Sequence, residues 1–326
     1  MTQARTAPPT PSIDFEREIR ELQERIAQIR RLAAENNVDV SDKLGELEAR
    51  LAELQRDLYA NLTPAEVLKV ARNPKRPSTL DYIQLMCEDW IELHGDRLFG
   101  DDLALVGGLA RLGDRPVVIL GHQKGRDTKD NIQRNFGCPH PEGYRKALRL
   151  MDHANRFGLP IIALIDTAGA HAGVEAEQRG QGEAIARNLQ QMFSYEVPIL
   201  CAVIGEGGSG GAIAIGVGNR MLMLEYAVYS VIAPDSCSVI LWRDKQHIEQ
   251  AATALKITAR DLKQLGIIDE IVSEPPGGAH SNPQAVAASL KEALLRHLNE
   301  LVALDGPTLR SERYEKFRAL ARFQEV

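Results

Sequence analysis

The chain has 326 residues, 44% of them hydrophobic, and a formal net charge of −6. That length allows one large domain or two ordinary ones with a sizeable core, and the acidic balance argues against a duplex nucleic-acid binder, so no nucleic-acid partner is expected. The four cysteines, Cys87, Cys138, Cys201 and Cys237, show no C-x-x-C spacing, which sets aside a disulfide framework and a zinc knuckle and fits a reducing, cytoplasmic setting.

Residues 1–12 hold several Pro and Thr but no apolar signal-like run, and read as a short disordered tail. No stretch approaches membrane-spanning length, so neither secretion nor insertion is expected. From Phe15 onward, Phe15, Ile19, Leu22, Ile26 and Ile29 alternate steps of four and three, and Leu44, Leu47, Leu51, Leu54 and Leu58 repeat the pattern after Glu35-Asn36-Asn37. Residues 13–60 therefore read as a helical hairpin, whose heptads specify packing rather than chemistry. Residues 61–326 read as one further domain. Thr63-Pro64-Ala65-Glu66 is a capping box that opens a helix. The Asn73–Ser78 stretch breaks it, and Thr79 to Leu93 predicts another helix with Tyr82, Ile83, Met86, Trp90 and Leu93 on one side.

Beyond Asp96 the pattern changes. Ala104–Leu112, a Gly113-Asp114 turn and Pro116–Gly121 predict a β-hairpin. A polar loop over Gln123–Pro141 precedes an amphipathic helix, Glu142–Phe157, stopped by Gly158, and a buried strand over Leu159–Ile165. The loop Asp166–Val174, a helix over Glu183–Met192, a strand over Val197–Ile204, a glycine-rich loop and a short helix over Ala212–Val217 repeat the unit of strand, loop and helix. Met221–Leu224 and Val228–Ile232 predict strands, and a helix starts after Pro234 and runs to Trp242. Thr258 and Asp261 cap a helix ended by Gly266, Ile267–Val272 is a last strand, and Gln284–Leu304 is a C-terminal helix. The alternation implies a layered α/β domain whose ligand lies at loops following consecutive strands.

Three readings compete for Gly205–Gly211. A P-loop fails because no Gly-Lys-Ser/Thr follows. A dinucleotide fingerprint fits formally, with Glu225 after the next strand, although Gly216 and Gly218 interrupt the helix early. The third is an oxyanion pocket of backbone N–H groups, with Gly207 and Gly208 on one loop and Gly169 and Ala170 on the other converging on one oxygen. Each such donor is worth about 3 kcal/mol of barrier against a developing oxyanion.

Long motifs carry a specific resemblance: Glu92–Asp102 (ELHGDRLFGDD), Gly121–Thr128 (GHQKGRDT), Pro141–Leu150 (PEGYRKALRL), Arg179–Gln181, Glu183–Leu189 and Val203–Ala212 (VIGEGGSGGA). In this order they resemble the carboxyltransferase alpha subunit of bacterial and plastid acetyl-CoA carboxylase, over nearly the whole chain. The resemblance implies a crotonase-like α/β spiral of ββα units behind the N-terminal hairpin. It implies carboxylate transfer from carboxybiotin on a biotin carboxyl carrier protein to acetyl-CoA, giving malonyl-CoA for fatty acid synthesis. The implied partners are a beta subunit in an alpha2beta2 assembly, the carrier protein and biotin carboxylase, with zinc held by the beta subunit and no metal in this chain. It also puts Gly169, Ala170, Gly207 and Gly208 around the biotin ureido group, with His171 beside them, and leaves acetyl-CoA to the beta subunit.

Departures from that family occur at three places. Its second loop usually reads Asp-Thr-Pro-Gly-Ala-Tyr-Pro-Gly, whereas here Ala168, His171 and Ala172 replace Pro, Tyr and Pro, which loosens the free loop. Gly182 stands for Ser, and Asp235-Ser236 for Glu-Gly. His171 is either a new acid/base or a filler of the tyrosine's space, and His122 reads as a residue that orients a loop. Among the basic residues between Lys124 and Arg149, Lys124, Arg126 and Arg145 are candidates for attracting CoA phosphates or the acidic carrier, with ion pairing to a partner subunit as the alternative. Two other readings remain: a stand-alone crotonase-type hydratase, hydrolase or decarboxylase using Glu183 or Glu206 as base, and a scaffold that pairs without turnover.

Overall fold

Heptad spacing produces two helices, α1 (Arg17–Asn36) and α2 (Ser41–Ala60), with Ile19 and Ile26 buried on the inner stripe. Tyr59 is buried at the base of the pair, against Phe15 at 6.4 Å between ring centroids, and its hydroxyl bonds Glu16. The computed structural model describes residues 15–36 and 39–320, in two units that divide between Leu62 and Thr63. The expected tail over residues 1–12 lies outside the described residues.

The second unit opens with α3 (Pro64–Ala71), held by the reciprocal Thr63 and Glu66 bonds of its capping box, and continues with α4 (Thr79–Met86), capped by Ser78 and Asp81. The helix expected to run on to Leu93 stops at Met86. Cys87–Glu92 instead forms β1, paired antiparallel with β2 (Leu105–Leu112), and Asp89 takes φ 53° within it. Trp90 and Leu93 reach the core in either conformation, so their spacing was helical. The open edge of β2 offers a row of hydrogen bonds that a solvated helix would leave unmade. The tight turn at Gly113, φ 61°, then joins β2 to β3 (Arg115–His122) as expected.

The supposed polar loop contains α5 (Thr128–Gln133), capped by Asp127. Next, α6 (Pro141–Phe157) ends at Gly158 in the left-handed conformation, φ 68°, and leads to β4 (Ile161–Thr167), buried throughout. A short α7 (Val174–Gln178) and α8 (Gln181–Ser194) precede β5 (Ile199–Gly208), which is also buried throughout. Then come α9 (Ser209–Ile213), β6 (Arg220–Leu224), β7 (Val228–Ser230), α10 (Pro234–Trp242), α11 (Ile248–Ala254), α12 (Ala259–Gln264) and β8 (Glu270–Val272). The C-terminal segment is two helices, α13 (Pro283–Leu301) and α14 (Gly306–Arg318), because Asp305 caps a new start.

One mixed sheet runs β1-β2-β3-β4-β5-β6-β8, antiparallel across β1 to β3 and parallel from β3 onward, with β7 added beside the end of β5. Continuous apolar runs in β4 and β5 follow from parallel strands covered on both faces. No helix among the described residues is long and apolar enough to cross a membrane.

Arg313 of α14 is fully buried and donates to the carbonyls of Met192, Tyr195 and Val197 and to Asn219 Oδ1, at 2.5 to 2.9 Å for its Nη atoms. Burial lowers its pKa to about 10, so it remains a cation at neutral pH. It closes carbonyls at the end of α8 and the entry to β5 that nothing apolar could satisfy. Arg313→Met is expected to cost about 3 kcal/mol in urea unfolding, with Arg313→Lys intermediate because an ammonium lacks the planar fork.

Candidate functional site

Three neighbouring parallel strands, β3, β4 and β5, end at the same edge of the sheet and deliver His122, Asp166-Thr167 and Glu206-Gly207-Gly208 there. Pairing between β4 and β5 is regular to Ile165 opposite Val203, then resumes with Thr167 opposite Gly207. The intervening bulge folds β5 around the Asp166 carboxylate. Asp166 Oδ1 accepts from the Glu206 N–H at 2.9 Å and from Lys124 Nζ at 2.5 Å. A Cβ at Gly205 would lie 2.3 Å from that same oxygen, so only glycine lets the strand wrap this closely.

The two glycine-bearing segments touch. A Cβ at Gly208 would lie 2.0 Å from the Ala168 carbonyl oxygen, and one at Gly211 2.5 Å from the Ala170 nitrogen. Gly205–Gly208 was expected to be loop, but Glu206–Gly208 pairs in parallel with Val228–Ser230 and β5 continues through it. Gly207 and Gly208 are therefore buried, and the chain turns outward only at Ser209, which takes φ 49° and is exposed. A non-glycine residue at positive φ on a strand-to-helix elbow costs about 1–3 kcal/mol, so it persists only where its surroundings impose it. The G-x-S-x-G spacing of Gly207–Gly211 was the available signal for it.

Two clefts flank the loop after β4. One, of about 380 Å³, is bordered by Gly169, Ala170, His171, Gln181, Ser209 and Gly210. The other, of about 300 Å³, is bordered by Arg72, Lys124, Arg126, Asp166, Ala168 and Glu206. Of the four candidate amides, Gly169 N–H donates to its own Thr167 Oγ1 at 3.1 Å. No hydrogen bond to the Ala170 N–H is found among the described residues. Gly207 and Gly208 border neither cleft. Continued strand pairing thus moves the reachable backbone of the second segment to Ser209 and Gly210.

The basic candidates divide. Lys124 and Arg126 share the smaller cleft, with Lys124 paired to Asp166 and Arg126 to Asp81. Arg145 is not brought there: its Nε donates to Asp96 Oδ2 at 2.8 Å and its Nη1 to the Arg179 carbonyl at 2.9 Å. Burial works to raise the pKa of Asp96, but the N–H groups of Leu98, Phe99 and Gly100, with Arg145, hold it down at about 2. The two candidate bases differ. Glu206 is forked by Arg72, Nη2 to Oε1 at 2.6 Å, while Arg72 Nη1 also reaches Asp235 at 3.0 Å. Glu183 is exposed, 3.9 Å from Arg187. The Arg72 clamp joins the end of β5 to α10, and no motif flagged it.

His122 is wholly buried; the Asp166 N–H approaches its Nδ1 at 3.4 Å, and burial pushes its pKa down to about 4. His171 is partly exposed, with Nε2 2.7 Å from Glu175 Oε1, Nδ1 2.9 Å from Asn135 Nδ2, and its ring centroid 4.3 Å from that of His140.

A family model described as "Acetyl co-enzyme A carboxylase carboxyltransferase-like" matches residues 12–321. The acetyl-coenzyme A carboxylase carboxyl transferase subunit alpha of Gloeobacter violaceus is 82% identical over 326 residues, all of both chains. That of Synechococcus elongatus is 63% identical over 313 residues, 96% of each chain. Among solved structures, a chain of a Pseudomonas malonate decarboxylase hetero-tetramer in complex with coenzyme A aligns with a TM-score of 0.59 at 18% identity, over 72% of this chain and 91% of that one. Transcarboxylase 12S with methylmalonyl-coenzyme A bound aligns at 0.54 and 19%, over 69% of this chain and 44% of that one. These two likenesses are of fold, and the crotonase-like α/β class agrees with them.

Two outcomes follow from this geometry. A native His122 pKa near 4 against about 6.5 unfolded means the unfolded chain binds the extra proton as pH falls between them, so acid lowers stability. This residue is expected to account for about 2 kcal/mol of the loss between pH 7 and pH 5 in urea unfolding, a slope missing in His122→Gln. Gly208→Ala is expected to lower the melting temperature by several degrees, on the order of 2 kcal/mol, because the facing atom is backbone and cannot rotate away.

Proposed function

This chain belongs to the acetyl-CoA carboxylase carboxyltransferase family, and we propose that it forms the carboxybiotin side of the transfer site. It is an alpha-type subunit of a multi-subunit carboxyltransferase. The observation that carries the proposal is the Ala170 N–H, without a hydrogen-bond acceptor among the described residues, at the border of a cleft that the Ser209-Gly210 elbow also lines. Backbone donors of this kind hold their orientation without reorganisation and favour the state in which an adjacent oxygen becomes anionic.

Bound carboxybiotin would supply the carboxylate and, on releasing it, a ureido oxygen bearing negative charge. This chain's part is to meet that oxygen with Ala170 N–H and the amides of the Ser209 elbow. Gly169 contributes the turn, fixed by Thr167, whose hydroxyl also donates to the Gly169 carbonyl at 2.8 Å. Gly208 contributes close packing against Ala168 and Gly207 against the Tyr229 ring, and His171 walls the cleft. A side-chain base is not required, in keeping with the engagement of Glu206 by Arg72. Lys124 and Arg126 are the cations we assign to acidic ligands, CoA phosphates or the carrier's acidic surface; Arg145, paired with Asp96, is left out. A beta subunit in an alpha2beta2 assembly completes the acetyl-CoA half, with the carrier protein and biotin carboxylase as further partners.

The test is biotin-dependent malonyl-CoA formation by this chain purified with its cognate beta subunit. Activity is expected only when both are present, and turnover of acyl-CoA by the chain alone would overturn the assignment. In the same assay Ala168→Pro, which restores a family proline, is expected to raise turnover by stiffening the loop that carries Ala170. An unchanged rate would show that the loop is already held.

A further inference from the structure

We propose that His140, His171 and Glu175 form a binding site for a zinc-class divalent cation beside the carboxyl-transfer cleft. The inference goes beyond the carboxyltransferase reading and does not depend on it. Sequence spacing gave no hint of it, since His140 and His171 lie 31 positions apart and on different elements.

The fold brings one ligand atom from each of the three residues within 4.8 Å of the others. His171 Nε2 and Glu175 Oε1 are 2.7 Å apart, and the two imidazoles are adjacent but tilted, 4.3 Å between centroids with 36° between planes. The His140 ring makes no hydrogen bond among the described residues, although its position at the cap of α6 is fixed by a backbone N–H bond to Asp102 Oδ2 at 2.6 Å. Asn135 Nδ2 lies 2.9 Å from His171 Nδ1 and donates to the Cys138 carbonyl at 2.6 Å, so an ion at Nε2, which needs the ring proton on Nδ1, requires the Asn135 amide to turn away. A tetrahedral ion with bonds of about 2.0–2.1 Å needs its ligand atoms roughly 3.4 Å apart. Closing the set requires the His171–Glu175 hydrogen bond to open and its Nε2 proton to leave; both histidines are half-buried and Glu175 is exposed, which leaves their side chains room to rotate.

The donor set selects the ion. Two neutral imidazoles and one carboxylate suit zinc and its borderline neighbours, whereas calcium and magnesium demand oxygen throughout. Three protein ligands leave a fourth position for water. The ligands come from three segments: the cap of α6, the loop after β4, and α7. One ion would therefore pin the segment carrying Gly169 and Ala170 at the place where Ala168 and Ala172 leave it without proline. Tyrosine at 171 would remove one of the two imidazoles.

The test uses the full-length chain, stripped with chelator and exchanged into buffer, titrated calorimetrically with zinc chloride and spectroscopically with cobalt(II). Expected are one saturable site per chain, cobalt bands of nitrogen and oxygen ligation, and affinity at least about tenfold weaker in His140→Ala, His171→Tyr and Glu175→Gln. Circular dichroism melting of the three variants without metal, expected to match the parent, shows that they fold. Absence of saturable binding, a thiolate-to-cobalt band that would point to Cys138, or loss of either imidazole without loss of affinity each overturns the proposal.

Discussion

The Asp166 carboxylate is the constraint on which the site is built. It is buried at the end of β4, and one of its oxygens accepts from Lys124, just beyond β3, and from the Glu206 amide of β5. Three strand ends are thereby referred to one atom. Removing one partner of a buried pair leaves an uncompensated charge, costlier than the pair is favourable, so this arrangement contributes specificity of geometry more than raw stability. Its reach extends both ways. Gly205 must lack a side chain to admit it, His122 lies against its backbone, and Glu206 is turned toward Arg72 and from there to Asp235.

From that anchor, the candidate site is shaped by backbone approaching backbone. Ala168 over Gly208 and Ala170 over Gly211 are contacts closer than any Cβ permits. Such apposition sets the two turns relative to one another without committing side chains, which suits donors meant to meet charge that exists only during reaction. The missing prolines are offset in part by the Thr167 hydroxyl, which both accepts from and donates to Gly169. The far end of the loop is tied as well: the His171 N–H donates to the Pro139 carbonyl at 3.0 Å, and Gln181 Nε2 donates to the His171 carbonyl at 2.9 Å.

Much of this architecture was legible. Continuous apolar runs in β4 and β5 read as buried strands, and the capping residues at Thr63 and Thr258 and the stop at Gly158 are local chemistry that tertiary structure did not override. What escaped was set by neighbours distant in sequence. The Cys87–Glu92 segment kept helical spacing yet became a strand because β2 needed an edge partner. Glycines 205–208 looked like loop until β7 paired with them. Oxyanion candidates were legible as a region, but which amide stays free depends on pairing and on Thr167. Arg313, the Arg72 fork and the His140, His171 and Glu175 group are single side chains whose partners lie tens to hundreds of positions away.

Charge allocation shows how misleading a linear cluster can be. The basic residues between Lys124 and Arg149 suggest a positive patch in an acidic chain, yet the fold gives most of them a carboxylate: Lys124 to Asp166, Arg126 to Asp81, Arg134 to Asp130, Arg145 to Asp96 and Lys146 to Asp101. Paired at contact distance, such charges cancel beyond about a Debye length, 8–10 Å at ordinary ionic strength. Long-range steering of an anionic ligand therefore cannot come from the cluster as a whole. Attraction is left to short range, where an exposed guanidinium can trade one carboxylate for another. Arg126 answers that description, with 72% of its side chain exposed at the border of the smaller cleft, whereas Arg145, at 14%, is already committed inside. The recognition of an acidic partner proposed for this face would thus be an exchange of ion pairs, sensitive to local geometry and only weakly to overall charge.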